Sequence, residues 1–319
     1  MLDGRAALIT GGGGGIGRAH ALAMAAAGAK VVVNDPGVSL DGSGSSPDPA
    51  DAVVAEIRAA GGEAVADYGS VADYDSAAAI VQSAVSAFGS LHIVVNNASV
   101  FHGVLFDEMN EQQWDEQIAV HVKGAFNICK HALPIMAEQS YGRVINTSSA
   151  SAFGGVGFAA YSTAKAALLG FTYALAAEYW RHGVTVNAIT PNAGTAHRVI
   201  EGAQWMERVA SRGYMPPEAG EEAPPPEFVP ALVIFLASAA ASAISRKVFD
   251  VAGTMVGVYP HPAATNTITK SRDDGPGHEP SWQRWCRSCW RRAANEPLAS
   301  ANALQSVLGS TPHITSCTL

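Results

Sequence analysis

The sequence predicts an α/β fold in which a doubly wound parallel sheet forms a single domain. Short apolar runs alternate with longer helical segments over about 190 residues, which is typical of parallel strands joined by helices on both faces. A run of glycines at residues 11–15 separates the first strand from the first helix. We expect the rest of the sheet to extend from this unit.

The first unit predicts a dinucleotide site. An apolar strand at residues 6–9 precedes the glycines, and an alanine-rich helix at 18–27 leads to a second apolar strand at 31–33, followed by Asn34 and Asp35. Glycines let the backbone approach a pyrophosphate closely, and the start of a helix offers free N–H groups to that anion. An acid after the second strand accepts hydrogen bonds from ribose hydroxyls and repels a 2′-phosphate. Asp35 therefore favours NAD over NADP.

The later elements follow in order. Short apolar runs predict five more strands, at residues 63–68, 91–96, 142–147, 184–189 and 247–251. Apolar residues at helical spacing predict six more helices, at residues 49–60, 74–88, 110–133, 161–181, 198–213 and 227–237. Asp48 is the predicted N-cap of the first of these helices.

Composition limits the possible partners and locations. The chain has 319 residues, of which 48% are hydrophobic and 15% charged, with a formal net charge of −8. This acidic balance argues against non-specific nucleic-acid binding. No apolar run reaches the roughly 18 residues of a membrane span. The N-terminus leads directly into the first strand, so we expect no signal peptide and a cytoplasmic protein.

The C-terminal region differs from the rest of the chain. We place the dinucleotide-binding domain at residues 1–258 and an atypical extension at 259–319, which is rich in tryptophan, arginine and cysteine. This extension is interpreted either as a segment that docks on a partner subunit or as a stretch translated out of frame after about Lys270. Cys286 and Cys289 lack a second ligand pair at zinc spacing, so no metal site is predicted.

The candidate catalytic residues lie around the strand at 142–147 and the helix that follows. Tyr161 and Lys165 are one helical turn apart and share a face. An ammonium beside a phenol stabilises the phenolate and lowers its pKa from about 10, so the tyrosine can exchange a proton with a substrate oxygen. Ser148 and Ser149 follow the strand, and a serine hydroxyl there can hydrogen-bond the same oxygen.

Taken together, these features resemble the short-chain dehydrogenase/reductase family. The shared motifs, in family order, are Thr10-Gly11-x-x-x-Gly15-Ile16-Gly17, Asn96-Asn97-Ala98, the serine pair, Tyr161-x-x-x-Lys165 and Pro191-Asn192-Ala193-Gly194. The resemblance covers roughly residues 3–257 and implies a Rossmann-type fold and an NAD(P)-dependent oxidoreductase. It also implies a small-molecule substrate and a homodimer or homotetramer.

A narrower likeness concerns residues 31–35, 141–151 and 191–194. These segments are similar to the (3R)-hydroxyacyl-CoA dehydrogenase domains of type 2 multifunctional enzymes and their bacterial relatives. The likeness suggests 3-hydroxyacyl-CoA thioesters or another bulky secondary alcohol as substrate.

The family resemblance implies roles for individual residues. Tyr161 would donate and accept the proton. Lys165 would activate Tyr161 and contact the nicotinamide ribose. The implied dinucleotide contacts are Thr10, Gly11, Gly15, Ile16, Gly17, Asp35, Ser70, Val71, Asn97, Tyr161, Lys165, Pro191 and Thr195.

The sequence departs from the family pattern in two places. His121 stands where the family often has an asparagine that holds a proton-relay water, and this histidine either holds such a water or only packs in its helix. The usual 13-residue gap to Tyr161 selects Ser148, whereas alignment of the strand without gaps selects Ser149. Because strand pleat fixes the facing side chain while a loop tolerates deletion, we predict Ser149, with Ser148 as the alternative.

The predicted function is NAD-dependent interconversion of a secondary alcohol and a ketone by hydride transfer. Its catalytic group comprises Ser149, Tyr161, Lys165 and His121. The alternative is a protein that binds the dinucleotide without turnover, as a sensor or scaffold.

Overall fold

The computed structural model describes residues 1–38, 44–214 and 223–262. Its strands are β1 (Ala6–Thr10), β2 (Lys30–Asn34), β3 (Ala64–Asp67), β4 (Ile93–Asn96), β5 (Gly142–Thr147), β6 (Val184–Asn192), β7 (Val248–Ala252) and β8 (Met255–Val258). Its helices are α1 (Gly15–Ala26), α2 (Asp48–Ala59), α3 (Tyr74–Phe88), α4 (Glu111–Ile118), α5 (Gly124–Glu138), α6 (Ala159–Tyr179), α7 (Ala196–Ser211) and α8 (Pro230–Ala237).

The eight strands form one sheet in the order β3-β2-β1-β4-β5-β6-β7-β8. All neighbours pair in parallel except β7 and β8, which are antiparallel. The chain continues from β1 to β2 and β3, which lie on one side of β1. The connection after β3 then crosses to β4, on the other side of β1. Ligands of open α/β sheets bind where the strand order reverses in this way, at the carboxyl ends of the strands. That point lies between β1 and β4.

Two apolar clusters hold the helices against opposite faces of the sheet. One contains Met24 of α1, Ile57 of α2 and Leu236 of α8. The other contains Ile80 of α3 and Met136 of α5. The strands between them are almost fully buried, as expected for a parallel sheet covered on both sides. The predicted doubly wound α/β architecture is confirmed.

Local differences from the predicted elements have identifiable causes. Helix α1 begins at Gly15 rather than at residue 18, because two of its first three residues are glycines, whose low helix propensity conceals the helix start in the sequence. Asp48 is the first residue of α2 and not its N-cap; its N–H donates to the Ser46 hydroxyl at 3.1 Å. Strand β8 was not predicted, since its side chains are mostly exposed and its apolar run is short.

The long helix predicted at 110–133 is divided. Helix α4 passes into a π-helical segment, Ala119–Lys123, before α5 begins. Such segments shift the backbone hydrogen-bond pattern by one residue and often occur at functional sites. His121 lies in the middle of this segment.

Residues Met1–His261 form one structural unit, and the domain boundary at 258 stays a prediction. Most of the predicted extension, including Cys286 and Cys289, lies outside the described residues. No helix in the described part of the chain is both long and apolar enough to cross a membrane.

Candidate active site

The glycine loop is shaped to receive an anion. Gly11 and Gly15 have positive φ angles of 63° and 49°, a conformation that favours glycine. A Cβ on Gly17 would overlap the Gly11 carbonyl oxygen, so only glycine fits there. Gly14 caps α1 in an extended conformation, without a side-chain hydrogen bond to the first turn. The N–H groups at the start of α1 are thus not capped by this residue, and the loop fits a dinucleotide pyrophosphate.

Asp35 lies beside this loop, directly after β2. Its carboxylate accepts hydrogen bonds from the N–H groups of Gly13 at 2.9 Å and Gly37 at 2.8 Å. Each of the two carboxylate oxygens accepts one of these bonds, and each can accept a further hydrogen bond. The acid is therefore fixed next to the loop with capacity for hydroxyl donors.

Asn97 and Thr10 join the carboxyl ends of β1 and β4. The Asn97 side chain donates to the carbonyl oxygens of Thr10 at 3.1 Å and Gly11 at 3.2 Å. The Thr10 hydroxyl accepts from the N–H groups of Asn97 and Ala98, both at 3.0 Å. These bonds hold the glycine loop against the strand end at the point where the sheet order reverses.

The remaining predicted contacts lie on both sides of the loop. Val71 is buried against Gly124, and its carbonyl oxygen accepts from the Asn127 side chain at 2.8 Å, whereas Ser70 is exposed. Pro191 lies in β6, paired with β7. The Thr195 methyl group lies 3.3 Å from where a Cβ on Gly15 would be, so Thr195 covers the start of α1.

Lys165 is held in a fixed position beside Tyr161. Its side chain is only 2% exposed, and its Nζ donates to the Thr147 carbonyl oxygen at 2.9 Å. The same Nζ lies 5.4 Å from the centre of the Tyr161 ring. Burial lowers the pKa of Lys165 to about 7, because the charged ammonium loses its hydration. Tyr161 itself is partly exposed.

The two candidate serines have different surroundings. The Ser148 hydroxyl is buried and donates to the Lys165 carbonyl oxygen at 2.8 Å, which ties the end of β5 to α6. Ser149 is partly exposed and caps a short 3₁₀ turn, where its hydroxyl oxygen accepts from the Ser151 N–H at 3.1 Å. Accepting that bond leaves the Ser149 O–H available as a donor.

His121 packs edge-on against Tyr161, with ring centres 5.5 Å apart and planes at 82°. Its Nε2 lies 2.8 Å from the Val100 carbonyl oxygen, so Nε2 carries the proton. Burial, and next the charge of Lys165, lower the pKa of His121 well below its usual range. This histidine is therefore neutral at physiological pH.

A small cavity lies beside His121. Thr10, Asn96 and Thr147 are among its other lining residues. Within the described residues, three buried atoms of this lining have no hydrogen-bond partner: Asn96 Oδ1, His121 Nδ1 and Thr147 Oγ1. Buried polar atoms normally have hydrogen-bond partners, so this lining suits a small polar molecule such as water.

Other residues of the site were missed by the sequence analysis. Phe101 packs edge-on against Tyr161 at 5.1 Å, and Phe158 lies 6.3 Å from the same ring. Both are in loops without periodicity, so no pattern marked them. The anchor of Lys165 was also missed because it is a backbone carbonyl, which has no sequence signature.

The described part of the chain contains no cluster of three or more His, Cys, Asp or Glu residues placed to hold a metal. Burial raises the pKa of the Cys129 thiol to about 12, so this cysteine is an inert core residue.

Comparisons with known proteins show the family to which this chain is related. A family model described as short chain dehydrogenase matches residues 5–201. Peroxisomal multifunctional enzyme type 2 of Drosophila melanogaster is 46% identical over 201 residues, which are 63% of this chain and 33% of that protein. Hydroxyacyl-CoA dehydrogenase ChsB1 of Mycobacterium tuberculosis is 37% identical over 265 residues, covering 80% of this chain and 79% of that protein.

A solved structure shows the same fold. A short chain dehydrogenase from Mycobacterium avium superimposes with a TM-score of 0.73 at 43% identity, covering 88% of this chain and 92% of that one. The chain spans a third or less of the length of several of the curated relatives that it matches. The family model nevertheless covers more than half of this chain. The chain therefore belongs to the short-chain dehydrogenase/reductase family of NAD(P)-dependent oxidoreductases, which act on CH–OH groups.

Proposed function

We propose that this protein is an NAD-dependent dehydrogenase/reductase that interconverts a secondary alcohol and a ketone, with Tyr161 as the group that exchanges the proton. The observation that carries the proposal is the buried Lys165, anchored on the Thr147 carbonyl oxygen with its Nζ 5.4 Å from the Tyr161 ring centre. Burying an amine costs free energy, which favours a functional role for this side chain.

Tyr161 and Lys165 favour each other's charged form. Burial lowers the pKa of Lys165 to about 7, so its ammonium is costly until a negative charge forms nearby. Loss of the Tyr161 proton supplies that charge, and the ammonium stabilises the phenolate in return. The tyrosine can then remove a proton from an alcohol, or return one to a carbonyl oxygen, near neutral pH.

Ser149 and His121 assist in different ways. The Ser149 hydroxyl, which is partly exposed, donates a hydrogen bond to the substrate oxygen and orients it toward Tyr161. The burial of Ser148 and its bond to the Lys165 carbonyl support this choice. His121 is neutral and holds a water molecule through Nδ1 in the small cavity, as a positioning residue rather than an acid.

NAD, when bound, supplies the nicotinamide that accepts or donates the hydride. Gly11, Gly15 and Gly17 bind its pyrophosphate together with Ile16. Asp35 binds the adenosine ribose, and its negative charge disfavours the 2′-phosphate of NADP. The other proposed contacts are Thr10, Ser70, Val71, Asn97, Pro191 and Thr195.

The proposed substrates are 3-hydroxyacyl-CoA-like secondary alcohols. The motif likeness at residues 141–151 supports this class, as does the relative that is named a hydroxyacyl-CoA dehydrogenase. The Tyr161 site is bordered by Phe101 and Phe158, and such aromatic surroundings suit an apolar acyl group.

Two further parts of the proposal concern assembly and location. A homodimer or homotetramer is supported by exposed apolar side chains, namely Tyr74 and Phe126 on α3 and α5 and Met255 and Val258 on β8, since exposed apolar patches mark interaction surfaces. Sedimentation analysis tests the assembly. We propose a cytoplasmic location, and imaging of the tagged chain tests it.

Substitution of Tyr161 tests the mechanism. With a panel of secondary alcohols and NAD⁺, Tyr161→Phe should lower kcat by about 10²- to 10⁴-fold while NADH binding, followed by fluorescence, persists. Tyr173→Phe, the same change on the same helix, is the matched control. Undiminished turnover by Tyr161→Phe would refute the mechanism, and NADH binding by the unmodified chain without any turnover would favour a sensor or scaffold.

Charge reversal tests the cofactor preference. Asp35→Arg should shift the ratio of the NADH and NADPH dissociation constants toward NADPH, because it replaces repulsion of the 2′-phosphate by attraction. An unchanged ratio would remove the argument for NAD.

A further inference from the structure

Three aromatic rings extend outward from Tyr161. Phe101 packs against Tyr161 at 5.1 Å and against Phe158 at 5.2 Å, and Phe158 packs on Trp205 at 4.8 Å. We call Phe101, Phe158 and Trp205 the aromatic wall. All three side chains are partly exposed, and none belongs to the two apolar clusters that hold helices on the sheet. The wall is therefore a surface beside the reacting end of the site rather than part of the core.

Trp205 is fixed in this wall by a directional contact. Its indole Nε1 donates to the Val156 carbonyl oxygen at 2.7 Å. Gly157 next to it has a φ of 75°, and a Cβ there would lie 2.8 Å from the indole nitrogen. The indole and the loop before α6 approach so closely that only glycine fits between them, so the orientation of the ring is well defined.

Ion pairs connect the C-terminal end of α7 to the loop at residues 107–108. Arg212 directly follows α7 and binds Asp107 at 2.6 Å through Nη2 and Glu108 through Nη1. Arg208 lies 3.9 Å from Glu108. With Trp205, these arginines recur at spacings of three and four, which places all three on one face of the helical segment. Each exposed ion pair contributes little alone, but together they tie this face to the segment that carries Phe101.

The loops that carry Phe101 and Phe158 also hold exposed apolar side chains. Phe106 is 75% exposed and Phe153 is 66% exposed, and Val156 beside Trp205 is also exposed. Exposed apolar side chains near a reactive group favour a binding surface. The charges of Arg208 and Arg212 nearby are paired with those of Asp107 and Glu108.

We propose that Trp205 is a specificity-determining residue, and that the aromatic wall holds a large apolar substituent on the reacting carbon of the substrate. This inference rests on the proposed function, because Tyr161 marks the reacting end. The wall favours an extended apolar chain or fused ring over a short alkyl group. Trp205 forms its outer end, so its removal affects long substituents and leaves short ones unaffected.

The test compares two homologous series of secondary alcohols, alkan-2-ols and 3-hydroxyacyl-CoA thioesters, each with a short and a long chain. Trp205→Ala should lower kcat/KM for the long member by about 10-fold or more and leave the short member within about twofold. Trp205→Phe keeps an aromatic ring, so its kcat/KM for the long member should lie between the values of the unmodified enzyme and of Trp205→Ala. The matched control is Trp180→Ala, at an exposed position after α6, which should leave the ratio unchanged.

Arg212→Gln provides an independent arm. It releases the end of α7 without touching the wall and should raise KM for the long member with little change in kcat. If Trp205→Ala does not fold, the long-to-short ratio of kcat/KM is compared in Trp205→Phe and Arg212→Gln instead. An unchanged long-to-short ratio in the Trp205 variants overturns the inference alone. Absence of turnover of every alcohol by the unmodified enzyme, despite NADH binding, overturns the proposed function and the inference together.

Discussion

Replacing Lys165 by methionine should make the protein more stable and less active. The side chain is buried, and its pKa is lowered from 10.5 to about 7. One pKa unit corresponds to about 1.4 kcal/mol, so burying this amine costs the folded state about 4 kcal/mol at pH 7 relative to an unfolded chain in which it is fully charged. The bond to the Thr147 carbonyl returns about 1 kcal/mol. Lys165→Met, which has a similar volume, should therefore raise the free energy of unfolding by about 3 kcal/mol.

The sign of the pH dependence follows from the same shift. Between pH 7 and 10.5 the unfolded chain binds the extra proton, so the stability of the unmodified protein rises with pH over this range. The advantage of Lys165→Met should shrink accordingly, by about 2 kcal/mol between pH 7 and pH 9. Turnover should fall as well, because the phenolate loses its neighbouring cation.

Urea denaturation of the dinucleotide-free protein, followed by circular dichroism at several pH values, measures these effects. The control is Lys130→Met, at an exposed position of α5, which should change stability by less than about 0.5 kcal/mol. If Lys165→Met is no more stable than the unmodified protein at pH 7, or if its advantage does not vary with pH, then the amine is not buried as described and the argument fails.

Three further predictions concern the serines, the glycine loop and a buried histidine. Ser149→Ala should lower kcat, whereas Ser148→Ala should mainly lower stability, by about 1 kcal/mol; the opposite pattern in steady-state kinetics and urea melts would select Ser148. Gly17→Ala should abolish NADH binding in a fluorescence titration, because its Cβ would overlap a carbonyl oxygen of the loop; retained affinity would contradict the loop geometry. His20 is fully buried, and burial lowers its pKa to about 3, so protons favour the unfolded state as pH falls below 6.5. Between pH 6 and pH 4, His20→Leu should lose less stability than the unmodified protein, by about 1.4 kcal/mol of unfolding free energy per pH unit. Met24→Leu on the same helix should show the same pH dependence of unfolding free energy as the unmodified protein in urea melts.

The fold could be predicted from the sequence because its strands and helices have distinct apolar periodicities. Residues 142–147 and 74–88 were predicted with the bounds that the structure has. The π-helical segment at Ala119–Lys123 could not be predicted, because it differs from an α-helix only in which carbonyl each N–H selects. That difference leaves no pattern of residue types in a single sequence.

The chemistry of the site was predictable where function requires a particular residue at a fixed spacing. Tyr161 and Lys165 share one helix face, and the structure places Lys165 next to the Tyr161 ring. Trp205 and its contact with Val156 were not predictable. They depend on how helix α7 meets the irregular loop before α6, and that loop has no period that fixes the direction of its side chains.

The paired bonds between β5 and α6 have a consequence for how such an enzyme can change. Lys165 Nζ donates to the Thr147 carbonyl oxygen while the Ser148 hydroxyl donates to the Lys165 carbonyl oxygen, so strand end and helix are cross-linked in both directions at one residue. Lys165 is thereby fixed by bonds that do not involve α7, and α7 reaches the Tyr161 ring through Phe158 and Phe101. Mutations in α7 can accumulate and redirect the enzyme to new alcohols while the position of Lys165 stays the same.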